Sequence, residues 1–420
     1  MRSLAKLAVC LGASWMVQCT PPAPPAAPPS GPPGTPESFL EGTLRHFPRG
    51  DSPGEVAVTD VETGRVAIYD SALLVLVLLR AGERERAAHV LLGLAALQNA
   101  DGGMPFSFVL PAPDPAVRYE RAGAIAWVGY AAAEYLDADE AGPSRDAVLE
   151  LAHRAARYLM DRQVSAAGDP RDGLILGGTG TLRYDVAGDD VREVLVPGDV
   201  PWASVEHNVD SFFFLRALAR VSGVDDYDAA ASRVARALLA HAWDDAHGQF
   251  AEGVSQEGPD DTPALDCASW GSVFLEAAES GAKARAAYRT ADARYASTDR
   301  ATGARGHRPY AAGALFPSGS LARHFARALH ASAWDKVDLV WPEGSAGVAL
   351  AAWRAGDAAR ARAIVDDLER LRSADGSLPT STLDVPFVLD RKPSIAGTAW
   401  VELVRFELER PPSQPTLWAR

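Results

Sequence analysis

Cysteine is nearly missing from this chain: its 420 residues include three, Cys10, Cys19 and Cys267. Three cannot build a disulfide framework, and they are too dispersed for a zinc knuckle. Basic runs are missing as well. Lys and Arg together number 41 against 55 Asp and Glu, giving a formal charge of −14. With no net positive field to collect phosphates, nucleic-acid binding is excluded as a class. No glycine-rich phosphate loop follows a strand, no His-Glu-x-x-His pair offers a zinc site, and no nucleophile elbow organises the serines. The N-terminal apolar run, Leu7–Val17, is too short to span a bilayer, and no later run is long enough to be a transmembrane helix. What is left is a globular composition, 47% hydrophobic and 23% charged, sized for one large domain or two ordinary ones.

Residues 1–18 read as an export signal, with Arg2 and Lys6 ahead of the apolar Leu7–Val17. Met16-Val17-Gln18-Cys19 resembles the lipobox of bacterial lipoproteins, which are cut before a lipidated cysteine. The resemblance implies a lipid on Cys19 and anchoring at the cell envelope. Gln18 departs from the Gly, Ala or Ser usual before that cysteine, and a plain secretory signal is the alternative. Loss of Arg2 and Lys6 takes the charge from −14 to −16. Residues 19–36 form a tether, with nine prolines in Pro21–Pro36. Proline fixes φ and lacks an amide hydrogen, so this stretch favours a polyproline-II spacer. At ~3.1 Å per residue it reaches roughly 50 Å; a linker of no defined length is the plainer reading. The folded domain is expected over 37–420.

Within that domain, Ala-, Leu-, Arg- and Glu-rich segments dominate and β-alternation is scarce, which predicts helices. An internal repeat organises them. Arg80-Ala81-Gly82-Glu83 returns as Arg354-Ala355-Gly356-Asp357, an offset of 274, and the same offset maps Ala100-Asp101-Gly102 onto Ala374-Asp375-Gly376. Each copy is a helical hairpin with an Ala-Gly turn and an Asp-Gly loop. Leu73–Leu79 is apolar all round and must be buried on every side, whereas Glu83–Gln98 carries a single apolar stripe and fits an outer position. Six inner helices are predicted to start at Tyr69-Asp70-Ser71, Ala122–Trp127, Ser204–Asp210, Leu265–Trp270, Val340–Gly347 and Ser394–Trp400. The sixth has little chain after it, so Ser38–Phe47 is expected to supply its outer partner. Six hairpins closed on themselves make an all-α (α/α)6 barrel; an open helical solenoid is the competing architecture.

These paired helices, with Asp-Gly loops and aromatic-rich inner starts, resemble the six-hairpin glycosidase superfamily across roughly residues 38–410. Gln98-Asn99-Ala100-Asp101-Gly102-Gly103 also resembles the glutamine–aspartate–glycine repeats of terpene cyclases, built on an α-toroid as well. The resemblance implies a carbohydrate-active enzyme, a hydrolase that inverts at the anomeric carbon, with a lyase or epimerase as a variant. No cofactor is implied. A terpene-cyclase reading is weakened by the lack of an Asp-rich motif.

In such a barrel the first turns of the inner helices converge at one mouth. Glu206 and Asp210 lie one turn apart, and their repulsion predicts a raised carboxyl pKa. Glu343 follows Trp341-Pro342 and is the candidate general acid, with Glu206 or Asp210 as base. Asp266 completes the candidate catalytic set. For each there is a simpler role: Ser204 as N-cap with Glu206 and Glu343 answering helix dipoles, and Asp266 and Asp70 as caps. Cys267 is read as a small buried apolar residue rather than a zinc ligand. Asp70, His207 and Asn208 are candidate polar contacts for a poly- or oligosaccharide, and Trp127, Trp270, Trp341 and Trp400 are candidate stacking faces. Packing between splayed helices is the alternative for each Trp. A non-catalytic glycan-binding or envelope scaffold is the competing function. If Cys19 is lipidated, the protein extracted from its native host partitions into the detergent phase of a cloud-point separation, and Cys19→Ser moves it to the aqueous phase. Aqueous partitioning of both proteins would leave the plain secretory signal.

Overall fold

The computed structural model describes residues 34–47, 54–114, 117–138, 142–187, 190–314, 316, 322–411 and 416–418. The expected signal segment, Cys19 and the tether up to residue 33 lie outside the described residues.

Six long apolar segments form inner helices: α2 (Ile68–Ala81), α4 (Ala122–Ala138), α6 (Val205–Ser222), α8 (Asp266–Ala277), α11 (Pro342–Arg354) and α13 (Ile395–Glu409). Nearly every residue of α4 is buried, which an isolated amphipathic helix cannot achieve. Each inner helix packs on the next, α2 on α4, then α6, α8, α11 and α13, and α13 packs back on α2. That last contact closes the ring. The molecule is therefore an (α/α)6 barrel and not an open solenoid. The outer layer comprises α3 (Arg84–Leu97), α5 (Arg145–Met160), α7 (Asp225–His241), α9 (Gly281–Arg294) and α12 (Ala358–Glu369). The sixth outer position is filled by α1 (Pro36–Gly42), which packs on α13 and is pinned to α3 by a 2.6 Å Arg86–Glu41 ion pair. The N-terminal segment thus completes the sixth hairpin as expected, with the helix over Pro36–Gly42 and Leu44–His46 a strand. A further short helix, α10 (Ala322–Leu329), lies between α9 and α11.

The repeat has a structural cause. Gly82 and Gly356 both terminate an inner helix at positive φ, 84° and 87°, a conformation that costs any residue with a Cβ. In the second copy Asp357 then caps α12 through the Arg360 amide, at 3.1 Å. The loop at Gln98 acts as a clamp between neighbouring hairpins: its side-chain amide reaches both Gly102 O and Leu151 O of α5, each at 3.2 Å.

Short strands rim the mouth, and one long hairpin departs from the expectation of scarce β-structure. Gly178–Ala187 pairs antiparallel with Asp190–Asp199. Leu182, Tyr184 and Val186 alternate with Arg183 and Asp185 in the first arm, which fits a ribbon wet on one side, while the second arm runs Arg192-Glu193-Val194-Leu195-Val196 without alternation.

A closed ring leaves an axis to be filled. Trp127, Trp270 and Trp400 meet there, with ring centroids 5.6–5.8 Å apart. Trp418, from the segment after α13, enters from the opposite end: it stacks on Trp400 at 5.3 Å and on Tyr130 at 6.2 Å, and is 1% exposed. This tail is fixed by Leu417 N–H donating to Glu407 at 3.0 Å and Trp418 N–H donating to Tyr130 Oη at 2.8 Å. Trp418→Ala is expected to destabilise the fold by about 3–5 kcal/mol, as large-to-small changes at fully buried aromatics do. Urea titration followed by circular dichroism checks this, and a loss under about 1 kcal/mol would place the tail outside the barrel.

Candidate active site

The mouth is built from first turns. Tyr69, Gly123, Glu206, Glu343 and Ala396 are each the second residue of their inner helix. Asp266 opens α8, whose N-cap Leu265 already has helical dihedrals, φ −61° and ψ −44°, so it occupies the corresponding place. Four residues further on stand Leu73, Trp127, Asp210, Trp270, Gly347 and Trp400. One turn of helix separates the two layers, so an upper ring carries polar groups and a lower ring carries indoles and Asp210.

Hydrogen bonds run within the layers and between them. Trp400 Nε1–H donates to Tyr69 Oη at 2.7 Å, and Tyr69 O–H donates to Glu343 Oε1 at 2.6 Å. Trp270 Nε1–H donates to Asp210 Oδ1 at 2.8 Å. Glu206 lies among Asp266, Asp210 and Glu343, with one carboxyl oxygen, Oε2, buried and unpartnered. Among the described residues, none of these four acids is ion-paired with Lys or Arg.

Burial without a cation raises carboxyl pKa values, and like charges raise them further. Burial pushes the Glu343 carboxyl up to about 7, against the opposing pull of the Tyr69 hydroxyl. Burial first, then Asp266, Asp210 and Glu343, drives Glu206 well above the carboxylate range. Asp266 is raised by burial, Glu343 and Glu252, and Asp210 by burial against the Trp270 N–H. Asp70, at the third residue of α2, is raised by burial to about 6. His207 is driven down to about 3 by burial, so its imidazole is neutral at physiological pH. At Gly123 a Cβ would stand 2.4 Å from His207 Cδ2 and 2.8 Å from Asp210 Oδ2. The missing side chain is what lets both groups pack against α4.

The structure thus brings Glu343, Glu206, Asp210 and Asp266 together, with His207 and Asp70 beside them. Other expected contacts are corrected. Asn208 is fully buried, accepting from Ile175 N at 2.8 Å and donating to Ile175 O and Ser204 O, so no group remains for a ligand. Ser71, Ser345 and Thr398 hold the same fourth position in their helices, and each accepts a backbone N–H from the segment ahead, at 2.8–3.0 Å. Polarity there ties the rim down. Trp127, Trp270 and Trp400 face one another and are 5–6% exposed, so they form the floor's support and not open stacking faces; Trp341, the N-cap of α11, is 3% exposed against Gly344 at the rim beside Glu343. Neither Asp266 nor Asp70 caps its helix; the N-caps are Leu265 and Ala67. Ser204 does cap α6. Cys267 is buried and free. Asp335 and Asp338 are spent on Lys336 and Arg300 at the surface.

Tyr69 and Glu252 were not among the expected site residues. Tyr69 was findable, since the 274 offset maps it onto Glu343. Glu252 lies in the bend between the short strands Gln249–Phe250 and Gly253–Ser255, where Tyr310 O–H donates to it at 3.3 Å, and no helical periodicity marks it.

Fold and site together define a six-hairpin (α/α)6 toroid whose mouth is lined by buried acids. Solved structures share this architecture. A D-mannose isomerase superposes with TM-score 0.58 at 10% identity, covering 89% of this chain and 98% of its own. A GH63 mannosylglycerate hydrolase from Thermus thermophilus, in complex with glucose, gives 0.55 at 15%, covering 89% and 99%. A GH76 α-mannanase from Bacteroides thetaiotaomicron gives 0.54 at 10%, covering 89% and 94%. No protein-family model and no curated sequence matches the chain.

Each raised carboxyl binds its proton more tightly folded than unfolded, so stability falls as pH rises through the window between the two values. For Glu343 that window runs from its ordinary 4.5 to about 7. Glu343→Gln is therefore expected to exceed the wild type in stability by about 1–3 kcal/mol above pH 7, with the gap closing below pH 4.5. Urea titrations across pH check this; equal stabilities at about pH 8 would remove the buried-acid description.

Proposed function

We propose that this chain is an exported, membrane-tethered glycoside hydrolase, held at the envelope by a lipid on Cys19 and acting on an oligo- or polysaccharide with inversion. The observation that carries the reading is Glu343: a carboxyl at the mouth, held by Tyr69 at 2.6 Å and raised by burial to about 7. Such a group keeps a proton near neutrality and has it to give, as a general acid requires. The shared architecture with glycosidases supports the class of ligand.

In the reaction, Glu343 gives its proton to the glycosidic oxygen as the bond to the anomeric carbon breaks. A water oxygen bonds that carbon from the opposite face, and a carboxylate takes the water's proton. Glu206 is assigned this role. Burial and the neighbouring acids hold a proton on Glu206, so the reactive form is the fraction of molecules in which Glu206 has lost its proton while Glu343 has kept its own. Asp210, held by Trp270 one turn deeper, positions the floor. Afterwards Glu343 is ionised and Glu206 protonated, and exchange with solvent restores both.

The test is a polysaccharide and oligosaccharide panel followed by reducing-end release, with Glu343→Gln beside the wild type. Hydrolysis is expected in the wild type and a loss of at least about 100-fold in the variant. Saccharide binding with no release by either protein would replace hydrolysis with the glycan-binding reading. Conversion of free sugars without bond cleavage would replace it with an epimerase or isomerase.

A further inference from the structure

We propose that the mouth is a dead-ended pocket, roofed from one side, which takes the terminal unit of a saccharide and not the middle of a chain. This rests on the glycan-directed reading above.

Segments from three gaps in the ring build the roof. The hairpin Gly178–Ala187/Asp190–Asp199 leaves α5 and returns to α6, so it rises between the second and third helical pairs. The loop carrying Phe387 joins α12 to α13, between the fifth and sixth pairs. In a ring of six these two gaps are diametrically opposed. Yet the rings of Tyr184 and Phe387 meet, with centroids 5.1 Å apart. From Gly178 to Tyr184 the first arm extends about 20 Å, and Tyr184 and Glu193 lie beside Tyr119 and Arg65, so the hairpin reaches Phe387 along the first pair's side of the rim. Helix α10, rising between the fourth and fifth pairs, arrives at the same point, and the His324 ring lies 6.3 Å from that of Phe387.

Both sides of the contact are held. Tyr184 sits opposite Glu193 in the ladder, and its hydroxyl donates to Glu193 Oε1 at 3.1 Å. Phe387 has φ +64°, the left-handed region that few residues with a Cβ occupy. A bridge between Val385 and Leu389 closes the turn around it. An aromatic residue kept in that conformation, where glycine fits without strain, points to a demand on the ring's position.

Beneath the roof, Tyr69, Glu206, Asp266 and Glu343 are still partly accessible, so the mouth is covered but not sealed. A polymer lying across the catalytic carboxyls needs free passage on both sides of them. The hairpin, joined to Phe387 over the first pair's side of the rim, obstructs that side and leaves room for a chain end.

Two measurements test this. The first is structural: in a Tyr184→Cys/Phe387→Cys protein, a short bis-maleimide is expected to join the two positions, read by peptide mass spectrometry. Failure to form that link overturns the roof, whatever the activity. The second compares an oligosaccharide with free ends against the same chain blocked at both ends. Wild-type protein is expected to release terminal units and to act at least about 100-fold more slowly on the blocked chain. Phe387→Gly, which suits the left-handed backbone and so preserves the fold, is expected to narrow that ratio by at least about 10-fold. Mid-chain products from the wild type overturn the proposal. If the wild type releases nothing from either substrate, hydrolysis is what fails; the roof is then read from calorimetric binding, where equal affinity for free and blocked chains overturns it.

Discussion

A closed ring of six helices surrounds an axis that no backbone occupies, and the side chains directed along it must fill that space and satisfy one another. In this barrel an aromatic column meets the requirement. Trp127, Trp270, Trp400 and Trp418 pack together, and two of their indole N–H groups reach up to Asp210 and Tyr69. Buried indoles need hydrogen-bond acceptors. Here the acceptors belong to the mouth, so filling the core and setting the carboxyls are one structural act. The acids above are then held in a dry setting with no cation, which is unfavourable for folding and favourable for keeping protons on carboxyls near neutral pH.

Much of this was legible in the sequence. All six inner starts were visible, because a helix buried on every side announces itself by an apolar run after small or polar residues. The ring could be inferred from the contrast between dry and wet helices, and its closure from the shortage of chain after the sixth inner helix, which left Ser38–Phe47 to serve as its partner. Glu206, Asp210, Asp266 and Glu343 were identifiable because charge is costly at the entrance to such a run.

What was not legible follows from physics as well. Asn208 and Glu206 lie two residues apart and look equally functional in sequence, but a step of two residues turns a helix by about 200°, so one faces the rim loop and the other the mouth. The aromatic residues were read as lying at inner-helix starts, but sequence does not say whether a ring there meets solvent or another ring. Glu252 arrives from a bend between two short strands with no periodic signal. The hairpin at 178–199 was hidden by its own charge, since a ribbon reaching over a mouth carries polar residues where a core strand would not.

The closure of the ring also bears on how the protein is made. It is complete only when α13 packs between α11 and α2, and its axis is filled only when Trp418 enters. Both events require residues synthesised after the five earlier hairpins, while α1, needed to cover α13, is synthesised before all of them. An emerging chain therefore holds its apolar inner helices exposed until α13 has left the ribosome, and its most distant segments must find each other in the final step. A protein built this way remains unfinished for as long as residues 395–418 are withheld.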